Sequence, residues 1–193
     1  MGLFFWGYFV VLRNPIRPPA TVPLTVVDEW VQFTPAAFVP YVSLWVYVSL
    51  PPAFLMSLPT LLRFAGWIGA LCLGCLAVFW IFPTQVPAFP LDLDGHAGME
   101  LLRGVDASGN ACPSLHVASA VFAAMWLDRL ARAMRGPGWV RWANGLECGL
   151  ILWSTLATRQ HAFLDLAAGF LVGALFGWWS LRHAAEVARP GEL

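Results

Sequence analysis

His161 and Asp165 stand four residues apart in the run Ser154-Thr155-Leu156-Ala157-Thr158-Arg159-Gln160-His161-Ala162-Phe163-Leu164-Asp165. On a helix that spacing puts two side chains on one face. A carboxylate there can accept from one imidazole nitrogen, fix the tautomer and leave the other nitrogen as a nucleophile. Arg159 suits the binding of phosphate oxygens. The plainer reading is a polar pair joining two helices, but ionisable groups within membrane segments are costly and mark function more often than not.

A second group precedes it. Pro113-Ser114-Leu115-His116 opens an apolar segment, and proline suits the first position of a helix. The free N–H groups behind it and the positive end of the helix dipole make an anion site. Ser114 adds a hydroxyl donor, and His116 sits one turn in. As a helix-end cap the same residues would have no chemical role.

The elements that must carry these groups are membrane helices. The 193 residues are 59% hydrophobic and 11% charged, far from the balance of a soluble domain. About 20 apolar residues cross a hydrocarbon core of ~30 Å. Spans are expected at about 36–57 (kinked by Pro51 and Pro52), 60–82, 114–134, 140–158 and 161–182. Residues 3–12 are apolar but short, and they begin without a basic region or a cleavage site for a signal peptide. Residues 13–35, broken by prolines, read as a loop or surface-lying segment. The expected fold is an all-α integral membrane protein, a six-helix bundle of five clear spans plus a short N-terminal helix. Residues 1–193 form one membrane-embedded domain.

Arginines set the orientation. Arg129, Arg132, Arg135 and Arg141 crowd the turn at 128–141, and Arg182 and Arg189 lie in the tail. The 83–113 loop instead holds Asp92, Asp94, Glu100 and Asp106, with Arg103 its one base. The basic turn should face the cytoplasm and the 83–113 loop the periplasm or outside, with Trp139, Trp142, Trp178 and Trp179 as the cytoplasmic aromatic belt. The 11 basic residues, all arginine, balance 11 acidic ones, so no overall field points to nucleic acid. Cys72, Cys75, Cys112 and Cys148 imply no disulfide framework, and the Cys72–Cys75 pair reads as small buried membrane residues.

PSLH followed by S-x6-H-x3-D resembles the type 2 phosphatidic acid phosphatase superfamily over roughly residues 25–182. Its usual signatures are K-x6-RP, PSGH and SR-x5-H-x3-D. Leucine in PSLH is more like the branch with inositol phosphorylceramide synthase and sphingomyelin synthase. The resemblance implies that His161 attacks phosphorus to give a phosphohistidine, Asp165 orients it, and His116 protonates the leaving oxygen. Ser114, Arg159 and the helix N-terminus would stabilise the phosphoryl group. No metal or cofactor is called for. Two positions depart from the pattern. Thr155 stands where an arginine follows the serine, and Phe82-Pro83-Thr84-Gln85-Val86-Pro87-Ala88-Phe89-Pro90 carries no base. Arg103 is a candidate substitute.

The expected partners are a lipid phosphate and the surrounding membrane lipids, in a bacterial inner membrane; the oligomeric state stays open. Hydrolysis of a lipid-linked phosphate or diphosphate is the first reading. Transfer of a phosphoalcohol between lipids is the second, and a non-catalytic or transport protein with a histidine relay is the third. Asp92-Leu93-Asp94-Gly95-His96 resembles a metal-binding D-x-D but reads better as a flexible acidic loop. Gly169, Gly173 and Gly177 form a small-residue stripe that lets helix backbones approach closely, with Ala118, Ala120, Ala123 and Ala124 as its expected counterparts.

Overall fold

The computed structural model describes residues 2–90, 98–100 and 110–185. Arg103, Arg189 and the 92–96 stretch lie outside the described residues. Among the described residues the principal helices are α1 (Gly2–Arg13), α2 (Val26–Trp30), α3 (Phe38–Tyr47), α4 (Leu50–Phe54), α5 (Leu58–Ile81), α6 (Leu115–Ala133), α7 (Gly138–Ala157) and α8 (Phe163–Ala185).

The helix ends follow local chemistry. Ser57 caps α5 by accepting from the Thr60 amide at 3.3 Å, with Pro59 in the first turn. Phe82-Pro83 ends that helix, since proline cannot continue it. The expected kink falls just before Pro51 and Pro52, where Val48 and Ser49 keep right-handed helical angles in a short interruption between α3 and α4. The two prolines remove two helix donors there. At the far end of α6, Arg135 takes φ 53 and Gly136 donates to the Ala131 carbonyl at 2.8 Å, which frees Pro137 to open α7.

Among the described residues three stretches are long and apolar enough to cross a membrane: Pro35–Phe54, Leu58–Ile81 and Phe163–Arg182. Helices α6 and α7, with 19 and 20 residues, are ~28–30 Å long at 1.5 Å per residue. They carry Asp128, Arg129, Arg132, Arg141 and Glu147, so their apolarity is lower. The divided first span and the extra helix α2 also differ from the expected six-helix arrangement.

Helix α6 is the axis of the packing. One side joins Phe64, Leu71, Cys75 and Phe79 of α5, with Val172 and Phe176 of α8, around Ala118, Phe122 and Trp126. Its other side meets Leu44 and Tyr47 of α3 and Ile151 of α7 through Ala120 and Ala123. The cysteines at 72 and 75 are free and packed in this interior. Trp126 Nε1 donates to the buried Ser180 hydroxyl at 2.9 Å, which satisfies the indole in the core.

Residues 13–35 are more built than a surface loop. Ala20–Thr21 (β1) pairs in parallel with Thr84–Gln85 (β2), and Thr84 bridges to Asn110. Thr34 donates to the Ala157 carbonyl at 2.9 Å. The segment is thereby tied to the end of the bundle that holds Ser114 and His161. At the opposite end Asp128 links Arg132 and Arg141 at 2.8 and 2.6 Å, and Trp139 and Trp142 are exposed.

Candidate active site

The second motif folds as a turn. Helix α7 ends at Ala157, and Arg159 takes φ 59, the left-handed region that breaks a helix. The Thr155 carbonyl then accepts from both Gln160 and His161, at 3.2 and 3.1 Å. Helix α8 begins only at Phe163, so His161 is held in the turn ahead of it and not on its first helical turn. The pair survives this shift. His161 Nδ1 lies 3.8 Å from Asp165 Oδ2, close but beyond hydrogen-bond length. The same oxygen accepts from the Ala162 amide at 2.8 Å.

That bond is one half of a capping box. Ala162 occupies the N-cap position, and Asp165, at N3, reaches back to its amide. Alanine has no side chain to give the other half. Asp28 caps a different donor from far away in sequence, its Oδ1 accepting from the N1 amide, Phe163 N–H, at 2.7 Å. Asp28 is 3% exposed, and its Oδ2 accepts from the Thr25 amide and hydroxyl at 2.7 and 2.8 Å. Its backbone carbonyl accepts from Arg159 Nη1 at 2.7 Å. No sequence signal singled out Asp28, because the partners that tie it to the His161 turn lie more than 130 residues away.

The first motif caps α6. Ser114 Oγ accepts from Val117 N–H at 3.2 Å, and the Ser114 amide donates to the Asp165 carbonyl at 3.0 Å. Of the N–H groups at this helix end, those of Ser114 and Val117 are therefore spent, and those of Leu115 and His116 are the other two. The His116 ring stacks on Tyr41 of α3, centroids 4.0 Å apart and planes 19° apart. Tyr41 is a further residue that sequence reasoning missed. Cys112 donates its amide to Thr84 Oγ1 at 2.8 Å. Burial, and then the Asp165 carboxylate nearby, push the Cys112 thiol up, which makes it a poor nucleophile.

The glycine stripe brings the two motifs together. A Cβ on Gly169 would collide with the Ser114 carbonyl, and one on Gly173 with the Ala118 carbonyl. One on Gly177 would meet the Met125 sulfur at 2.5 Å. The counterparts are thus Ser114, Ala118 and Met125. Ala120, Ala123 and Ala124 turn instead toward α3 and α7, because both faces of α6 are apolar and small.

Three polar atoms in this locality, His116 Nε2, His161 Nδ1 and Asp165 Oδ1, are buried without a hydrogen-bond partner among the described residues. A buried unpaired polar group costs ~1–3 kcal/mol, so three together mark a place built for something other than stability. A model of the PAP2 superfamily matches residues 17–179, most of the chain. The chain belongs to the PAP2 superfamily. Neither the curated proteins nor the solved structures contain a match. PAP2 members are generally phosphatases or phosphotransferases, so membership supports that kind of function here.

Arg159 is half-buried between the Asp28 carbonyl and the ring of Phe89, its Cζ 4.8 Å from the ring centroid. Thr155 spends its hydroxyl on the Leu152 carbonyl at 2.7 Å. As a set, the groups offer an imidazole beside a carboxylate, a second imidazole on an adjoining helix, the amides at the start of that helix and a guanidinium. That set can attack, protonate and neutralise a phosphoryl group.

Proposed function

We propose that this PAP2 protein hydrolyses a lipid-linked phosphate or diphosphate through a phosphohistidine on His161. The observation that carries the reading is the gathering of unpartnered His116, His161 and Asp165 atoms where α6 and α8 are bonded together. With Asp165 beside Nδ1, the Nε2 of His161 is the attacking atom. The N–P bond forms as the bond from phosphorus to the leaving oxygen breaks, and His116 gives that oxygen its proton. Water then surrenders a proton to His116 and attacks phosphorus, which releases phosphate and restores His161. Ser114, the Leu115 and His116 amides and Arg159 stabilise the charge on the equatorial oxygens. Arg103 is a further candidate ligand from the 83–113 loop.

In this reading α6 and α7 cross the membrane with the three apolar spans. The arginine-rich end faces the cytoplasm, and the site opens at the outer headgroup layer, where a lipid phosphate enters sideways. Leu115 in PSLH favours a second reading in which a lipid or polyol hydroxyl replaces water as acceptor. Purified protein in detergent, given lipid mono- and diphosphates with and without polyol acceptors, tests both. Phosphate release that disappears in His161→Ala supports hydrolysis. Acceptor-dependent transfer without release supports the second reading, and unchanged release in His161→Ala excludes both.

A further inference from the structure

We infer that Asp28 and Phe89 are positioning residues that hold the Arg159 guanidinium, and with it the His161 turn, in the geometry that receives phosphate. The inference rests on the reading of Arg159 as a phosphate ligand.

Arg159 leaves α7 with backbone φ 59, so its side chain departs from the helix direction. It is then fixed on two sides. One edge is anchored by the 2.7 Å bond from Nη1 to the Asp28 carbonyl, and one face lies 4.8 Å over Phe89. A guanidinium has five N–H donors, and the carbonyl is its one hydrogen-bond partner among the described residues. The remaining edge is thus presented in a set orientation, and a pre-oriented fork loses less freedom when it binds a phosphate.

Asp28 can anchor it because Asp28 is immobilised. Its buried carboxylate takes two bonds from Thr25 and one from Phe163 N–H. The last of these reaches the opposite end of the turn. One residue therefore grips residue 159 through its carbonyl and residue 163 through its side chain, with His161 between. The carboxylate also lies at the N-terminus of α8, where the helix dipole favours negative charge. Phe89 supports the other face of the guanidinium from the stretch that carries no base of its own.

The test is equilibrium dialysis of radiolabelled inorganic phosphate against the purified full chain, with thermal midpoints in the same detergent. Arg159→Ala is expected to weaken phosphate binding roughly ten- to a hundredfold, the range of a lost charge-assisted hydrogen bond. Asp28→Asn keeps the shape but cannot accept all three bonds, and it is expected to approach the same loss. The double variant should bind no more weakly than Arg159→Ala alone. Additive losses, or wild-type affinity in Asp28→Asn, would overturn the proposal. If Asp28→Asn does not fold, Phe89→Leu carries the test, because it leaves the α8 cap intact. It is expected to weaken binding about two- to fivefold, and unchanged affinity would overturn the proposal. A wild-type chain that neither binds phosphate nor turns over any lipid phosphate would overturn the proposed function itself. A wild-type chain that does both, with variants like wild type, would overturn only this inference.

Discussion

The amide of Ser114 is bonded to the carbonyl of Asp165 at 3.0 Å. The two sequence motifs are therefore joined backbone to backbone. The distance between the His116 and His161 rings depends on how closely α6 and α8 approach, and the glycines of α8 set that approach.

A graded series follows along the stripe. Gly169→Ala and Gly173→Ala would drive a methyl into the carbonyls of Ser114 and Ala118, which cannot yield without moving a helix. Overpacking of this kind costs ~1–3 kcal/mol. Gly177→Ala meets only the flexible Met125 side chain. Turnover and thermal midpoint should fall clearly in the first two variants and little in the third. Equal effects at all three positions would disprove the graded approach.

The stacking of Tyr41 on His116 predicts a difference between two substitutions. Tyr41→Phe keeps the ring, and Tyr41→Leu removes it. An aromatic pair contributes ~0.5–1.5 kcal/mol, so Leu should lower kcat several-fold more than Phe does. His116→Ala should lower it by about 10²- to 10⁴-fold, the contribution of general acid–base catalysis. Steady-state kinetics on one substrate compare all three.

Cys112 adjoins the site but has no part in the chemistry proposed. Its thiol is pushed up by burial and by Asp165, so it is neutral at pH 7 and becomes thiolate only on the alkaline side of the ordinary cysteine range. Cys112→Ala should retain activity within about threefold. Alkylation of Cys112, followed by mass spectrometry, should be slow at pH 7 and quicken as the pH rises.

The long helices and both motifs were legible in the sequence, because hydropathy and four-residue spacing are local signals. The expected 60–82 and 114–134 spans fall within two residues of α5 and α6. The setting of His161 was not legible. Nothing in Thr158-Arg159-Gln160 demands a left-handed arginine; the Thr155 carbonyl and Asp28 impose it. The role of Asp28 depends on contacts across 135 residues, to Phe163, and no periodicity reaches that far. The face of α6 that meets the glycines was equally hidden, since small residues line both of its sides and only packing selects Ala118 over Ala120.

The central claim is that His161 carries the phosphoryl group, and trapping that intermediate tests it most directly. Purified wild-type protein is mixed with a lipid phosphate labelled in its phosphorus, quenched in alkali and digested for mass spectrometry. The account predicts an alkali-stable, acid-labile phosphoryl label on His161. It also predicts loss of both label and phosphate release in His161→Ala, with turnover down by at least about 10⁴-fold, the scale for removing a nucleophile. Phosphate release that continues in His161→Ala, or a label on another residue, would contradict it.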